Sequence, residues 1–152
     1  MNKKNDMGAL IDKITDKVKN KDCFEFSHNI DGCKIKVISY KFKVKFDGCA
    51  DAYFGIEGGC DCIFIFPHKV CIVECTTGKF GSRDAKRKPK QIKKCYTIVR
   101  DLGYRGLIEA VIYYEKIDST SKKRVEIELK DIKKKDSGFI VKFLRCGADV
   151  LC

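Results

Sequence analysis

The stretch CDCIFIFPHKVCIVECTTGK, residues 60–79, constrains the fold more than any other part of the chain. Two apolar runs, Ile63–Phe66 and Val70–Val73, flank a Pro-His pair. Short runs rich in β-branched and aromatic residues, parted by turn formers, read as a β-hairpin. Each arm carries one acid, Asp61 and Glu74. Opposed residues of antiparallel strands step away from the tip together. If Phe66 faces Lys69, five steps back along each arm set Asp61 opposite Glu74 on the same face, with Cβ atoms about 4.5–5.5 Å apart. A four-residue loop about the same centre keeps that pairing, whereas an odd loop or a bulge puts the acids on opposite faces. Proline at the first loop position suits a type I turn, which makes the longer even loop an alternative.

Like charges directly opposed destabilise a sheet, so the pair calls for a purpose. A divalent cation is the simplest, since converging carboxylates are hard oxygen ligands of the kind Mg²⁺ takes. The competing reading has one acid capping a strand end or pairing with a nearby lysine. Charge distribution favours the first. The chain has 32 basic and 21 acidic residues, a net charge of +11. Arg83, Lys86, Arg87, Lys88, Lys90, Lys93 and Lys94 crowd into twelve residues directly after the hairpin. Such a cluster is the electrostatic footprint of a polyanion partner, namely nucleic acid, and the alternative is a lysine-rich solvated surface.

The 152 residues are about the modal length of one domain, and the sequence has no repeat or low-complexity linker. The N-terminus, MNKKNDMGALIDKITDKVKN, has no apolar signal region, and no run of apolar residues is long enough to span a bilayer. An intracellular chain without membrane partners is expected, a viral or mobile-element source included. The ten cysteines then read mainly as buried free thiols, with Cys62, Cys71, Cys75 and Cys146 in apolar runs. Disulfides, as in hyperthermophile proteins, are the second option. With no C-x-x-C and with His28 and His68 far apart, the spacing is poor for zinc.

Leu10, Ile11, Ile14 and Val18 recur at helical spacing within residues 7–19. KIKVISYKFKVKF, residues 34–46, alternates apolar and basic residues apart from a Ser-Tyr break, as a strand or hairpin with one wet face does. After Gly78 a polar basic loop is expected. Ile92, Cys95, Tyr96, Val99 and Leu102 then give a helix ending at Gly103, with Pro89 in its first turn or at a kink after an earlier start. GLIEAVIYYE, residues 106–115, reads as a central strand returning parallel beside the hairpin. VEIELKDI and GFIVKFLRC read as peripheral strands within 116–152, with a helix as the alternative for either. The fold class expected is α/β, a mixed sheet flanked by helices.

An Asp opening one strand, a tight turn, and an apolar strand ending in Glu-Cys-Thr-Thr-Gly together resemble the PD-(D/E)XK nuclease superfamily, which includes restriction endonucleases and Holliday-junction resolvases. The resemblance covers residues 7–115 and implies the restriction endonuclease-like αβββαβ core. It implies a metal-dependent endonuclease that hydrolyses DNA phosphodiester bonds with Mg²⁺ or Mn²⁺. Asp61, Glu74 and the main-chain carbonyl of Cys75 would hold the metal. Thr76 stands where the family has its lysine. Lys79, three residues on, is the nearest replacement and is taken as the catalytic amine; Lys86, Lys88 and Lys90 are the other sources, with Arg87 as a substitute charge. Glu57 is a further acid. Arg83, Lys86, Arg87, Lys88, Lys90 and Lys93 would follow the DNA backbone. Gln91 and Tyr96 are similar to a Gln…Tyr helix motif of some relatives, one residue off in spacing. A homodimer is implied by relatives that cut both strands. The runner-up is a nucleic-acid-binding protein of the same fold that has lost catalysis, and the third reading is an interaction module whose cysteines bind metal or form interchain disulfides.

Overall fold

Residues 60–80 form an antiparallel hairpin, and its register is that of a two-residue tip. Cys62 lies opposite Val73 and Ile65 opposite Val70, and the Phe66 N–H donates to the Lys69 carbonyl at 2.9 Å across Pro67-His68. The computed structural model describes residues 3–152. In chain order, helix α1 (Lys3–Lys17) leads through a 3₁₀ turn at Lys21–Phe24 to four short strands: β1 (Asn29–Ile30), β2 (Cys33–Lys34), β3 (Lys36–Val37) and β4 (Phe42–Lys45). A second 3₁₀ turn, Ala50–Phe54, precedes the hairpin strands β5 (Cys62–Ile65) and β6 (Lys69–Phe80). Then follow α2 (Ser82–Asp101), β7 (Leu107–Ile117), α3 (Ser119–Glu128), α4 (Lys130–Lys135), β8 (Phe139–Arg145) and β9 (Val150–Leu151).

Strands β4-β5-β6-β7-β8 make one five-stranded mixed sheet. β4, β5 and β6 run antiparallel as a meander, and β7 and β8 each add in parallel after a helical crossover. The alternation of β5 and β6 divides their apolar side chains between two cores. Ile63, Ile65, Val70 and Ile72 face the helices, where Leu10, Ile14, Ile92, Val99 and Val125 cover them. Phe64, Cys71 and Val73 face the other side, closed by the small β1-β2 and β3-β9 pairs together with Phe26, Ile35 and Leu151. Because both faces of the hairpin are covered, any polar side chain on it must find a partner inside the protein.

The basic segment after Gly78 is not a loop. β6 continues to Phe80 and α2 starts at Ser82, where the Asp84 carboxylate accepts the Gly81 N–H at 3.1 Å. Pro89 therefore lies in the second turn rather than the first, and the earlier start holds. Its ring nitrogen has no hydrogen to offer the Ala85 carbonyl, which interrupts the helix ladder there. The segment 34–46 breaks into three strands instead of one hairpin: Ser39 turns the chain at φ 62°, and β3 leaves to pair in parallel with β9. VEIELKDI is helical, because Val125 and Leu129, four apart, are the two side chains that bury. GFIVKFLRC is a strand as expected, and β8 forms the edge of the main sheet beside β7.

Six cysteines pair as Cys23–Cys49, Cys33–Cys146 and Cys60–Cys95, with Cα separations of 5.7, 5.1 and 6.0 Å. Cys146 is thus not a free thiol, while Cys62, Cys71 and Cys75 are free and buried. Burial pushes the Cys71 thiol up to about 12 and also raises the Cys62 and Cys75 thiols well above their ordinary value, so these three act as small apolar side chains. Among the described residues no three His, Cys, Asp or Glu side chains gather as a metal cluster, and no helix is long and apolar enough to cross a membrane.

Cys33–Cys146 spans 113 positions of the chain, so it restricts the unfolded ensemble most. The double variant Cys33→Ser/Cys146→Ser is expected to lose about 4 kcal/mol of unfolding free energy. Urea titration with and without reductant checks this, and a reductant effect as large in the variant as in the parent would contradict it.

Candidate functional site

Asp61 and Glu74 meet. Asp61 precedes β5 and stays in the sheet through its carbonyl, which accepts the Phe46 N–H at 3.1 Å. Its carboxylate reaches across the hairpin to accept the Cys75 N–H at 2.7 Å. Glu74 is the fifth residue of the buried run 70–75 and falls on the face of Val70 and Ile72, toward the helices. It has no exposed surface. Burial, and then the neighbouring Asp61, push the Glu74 carboxyl well above its ordinary value.

The partner that makes this burial tolerable comes from α2. The inward positions of that helix are Ala85, Lys88, Pro89, Ile92, Cys95 and Val99, one stripe at three- and four-residue spacing. Lys88 lies within the stripe and is 7% exposed. Its ammonium donates to Glu74 Oε2 at 3.4 Å and to the Cys75 carbonyl at 3.1 Å. Burial alone would lower the Lys88 pKa; Glu74 and Asp61 outweigh it and hold the amine above its usual value. Two acids and one ammonium therefore converge where β5, β6 and α2 touch. Three acceptor atoms on these elements are buried with no hydrogen-bond partner among the described residues: Glu74 Oε1, Thr76 Oγ1 and Gln91 Oε1. Orphan buried acceptors of this kind point to an unfilled donor or cation position.

Lys79 does not join the pair. A bulge between Thr76 and Lys79 ends the regular β6–β7 ladder. Phe80 points into the helix-side core, so its neighbour Lys79 points to the opposite face, exposed, where its charge is felt by Asp118. Lys88, named both among the other sources of the amine and among the DNA-tracking cations, is the lysine that reaches Glu74. The remaining cations of that set divide: Arg83, Lys86, Arg87 and Lys90 are exposed, with Arg87 3.7 Å from Asp84, and Lys93 is half-buried. Glu57 is exposed, and only its backbone carbonyl is engaged, by Lys94. Tyr96 donates to Asp136 beside Arg100, away from the acids. The signal for Lys88 was present in the sequence. Extending the apolar period of α2 backwards from Ile92 reaches residues 88, 89 and 85, which puts a lysine on the buried face.

Two features hold the site in place. Cys60, beside Asp61, is disulfide-bonded to Cys95, two turns along α2 from Lys88. Asp51 accepts the Gly59 N–H at 3.0 Å. A Cβ at Gly59 would lie 2.4 Å from the Asp51 carboxylate, so glycine is required there. Compared with known protein families, curated proteins and solved structures, the chain matches none.

Because its folded-state pKa lies above the unfolded one, Glu74 favours the native state most below its ordinary value of 4.5, and that contribution is lost as pH rises through the raised value. In the presence of a chelator, stability is expected to fall as pH rises through this range, with a flatter profile in Glu74→Gln. Lys88→Met should cost about 3–5 kcal/mol at an alkaline pH and less at an acidic one, because burial and Asp61 hold the Glu74 carboxyl above its ordinary value and favour its protonated form as pH falls. Lys79→Met should stay within about 0.5 kcal/mol at both. Denaturant melts at the two pH values decide it, and equal effects at 79 and 88 would refute the assignment.

Proposed function

We propose that the protein is a metal-dependent endonuclease acting on DNA, with its site at Asp61, Glu74 and Lys88. The observation that carries this reading is the convergence of two carboxylates and one ammonium on the helix side of a mixed sheet whose elements follow the order helix, three antiparallel strands, helix, parallel strand. That order and those residue types are the ones implied by the resemblance to PD-(D/E)XK nucleases, with the amine supplied from α2 in place of the strand position occupied by Thr76.

The donor set fits Mg²⁺ or Mn²⁺. Such an ion needs one or two carboxylates and otherwise takes water and substrate phosphate, so a cluster of three protein acids is not required. The orphan Glu74 Oε1 is a free ligand atom, Asp61 supplies a second carboxylate, and the Cys75 carbonyl lies beside them under Lys88. An ion bound there supplies Lewis acidity toward water and phosphate. The protein's own contribution is positional and electrostatic. The Asp61–Cys75 hydrogen bond keeps the hairpin acids converged. Lys88 offers an ammonium to charge developing on non-bridging phosphate oxygens. The exposed cations Arg83, Lys86 and Lys90 hold the backbone of the substrate without reading its sequence. Cleavage of both strands of a duplex would call on two copies of the chain.

A second reading has its own observation. Lys88 already neutralises Glu74 and occupies the Cys75 carbonyl, as expected of a site that binds nucleic acid without cutting it. One assay separates the two. Plasmid nicking with Mn²⁺ is expected for the wild type, with at least about a 100-fold loss in Asp61→Ala, Glu74→Ala and Lys88→Met, and DNA binding retained. Lys79→Met should cut normally. DNA binding without Mn²⁺-dependent cleavage by the wild type would leave the second reading standing.

A further inference from the structure

The α3–α4 segment, which the sequence pattern presents as strand, forms with α2 a second cationic surface. A cleft of about 720 Å³ opens between the first turns of α2 and α3, with Arg83 and Lys86 on one wall and Lys123 and Arg124 on the other. Among the described residues no acidic side chain lines it. Arg83, Lys86 and Lys123 have no ion-pair partner among the described residues, while Arg124 meets Glu128 at 3.0 Å. An adjoining groove of about 460 Å³ continues along α4 past Lys130, Lys133 and Lys134. Residues 119–135 hold seven basic residues against three acidic. Two helices that turn unpaired cations toward a shared cleft repel each other, and an anion between them relieves the repulsion.

The position of the cleft relates it to the site. Both α2 and α3 start where the parallel strands β6 and β7 end, the end of such a sheet at which ligands collect. Arg83 and Lys88 are five residues apart, about 7.5 Å along the helix.

The chemistry of the surface selects one occupant. Val125 of α3 and Leu129 just after it are buried in the core, and Ile127, at 64% exposure, is the one large apolar side chain of α3 that faces out, on the wall shared by the cleft and the groove. A bilayer-binding helix needs an apolar face to insert, and α3 has none to spare. Centres of protein interfaces are depleted in charge, unlike this cleft. We infer that the α2–α3 cleft and the α4 groove beyond it form a track for a nucleic-acid phosphodiester backbone, leading to the Asp61–Glu74–Lys88 site. The inference rests on the reading that the protein acts on nucleic acid, but not on cleavage.

The test is fluorescence anisotropy of a labelled random-sequence DNA duplex, titrated with the full chain between about 50 and 200 mM salt. The variant Lys123→Gln/Arg124→Gln/Lys130→Gln/Lys133→Gln is compared with a charge-matched control on exposed lysines of the β2–β5 region, Lys34→Gln/Lys36→Gln/Lys41→Gln/Lys45→Gln. Circular dichroism verifies that both fold. The α3–α4 variant should weaken binding at least about tenfold and lower the salt slope by about 3–4, near one per phosphate contact removed. The control should do neither. Equal loss in both, or no loss in the α3–α4 variant, overturns the track while leaving wild-type DNA binding and the nuclease reading intact. Absence of salt-dependent binding by the wild type overturns both. Binding to phosphatidylserine vesicles that depends on the four residues, without DNA binding, also overturns the track.

Discussion

The parity of the β5–β6 turn is the constraint on which the rest of the molecule depends. With two residues at the tip, every even-numbered side chain of β6 from Val70 to Glu74 faces the helices, and Asp61 arrives on the same side. The core under α1, α2 and α3 is built from that face, and so is the site. The hydrogen bond from the Cys75 amide to Asp61 closes the open end of the hairpin just as the Pro-His tip closes the other. Between these two ties the strands have no freedom to slip, and Glu74 is held where water is excluded while Asp61, half-buried, stands at its edge.

That exclusion places the burden on Lys88. A carboxylate with no exposed surface is stable only if it is protonated or partnered, and the structure gives Glu74 elements of both: a raised pKa and an ammonium. The lysine has to lie on the inward stripe of α2, and the helix has to start early enough to carry it there. The reach of Asp84 back to the Gly81 amide, the helical turns before Pro89 and the small Ala85 against the sheet all serve that placement. One buried ion pair thus accounts for where the helix begins and how closely it approaches β6.

What was legible in the sequence follows from which signals were local. The hairpin, its register and the meeting of Asp61 with Glu74 could be read because a period of two and a turn are properties of twenty consecutive residues. The parallel return of β7 was legible from the helix before it. The amine was assigned to Lys79 because proximity along the chain was weighed above helical phase, and the bulge after Thr76 that turns Lys79 away leaves little trace beyond Gly78. VEIELKDI alternates as a strand does, yet its two buried residues are four apart; which period prevails is decided by the packing of Val125 and Leu129 against α2, a tertiary fact. The disulfides were hidden for a similar reason, since Cys33 and Cys146 become neighbours only once the small β3–β9 pair has formed.

The Cys60–Cys95 bond has a mechanical consequence. It fastens α2 to the strand that carries Asp61 at a single point, about 10 Å along the helix axis from Lys88. Between that point and the N-terminus the ladder is already broken at Pro89. The front of the helix is therefore a lever with a fixed pivot and a weakened shaft. A helix pinned in this way keeps its register on the sheet even though its hydrogen-bond ladder is interrupted.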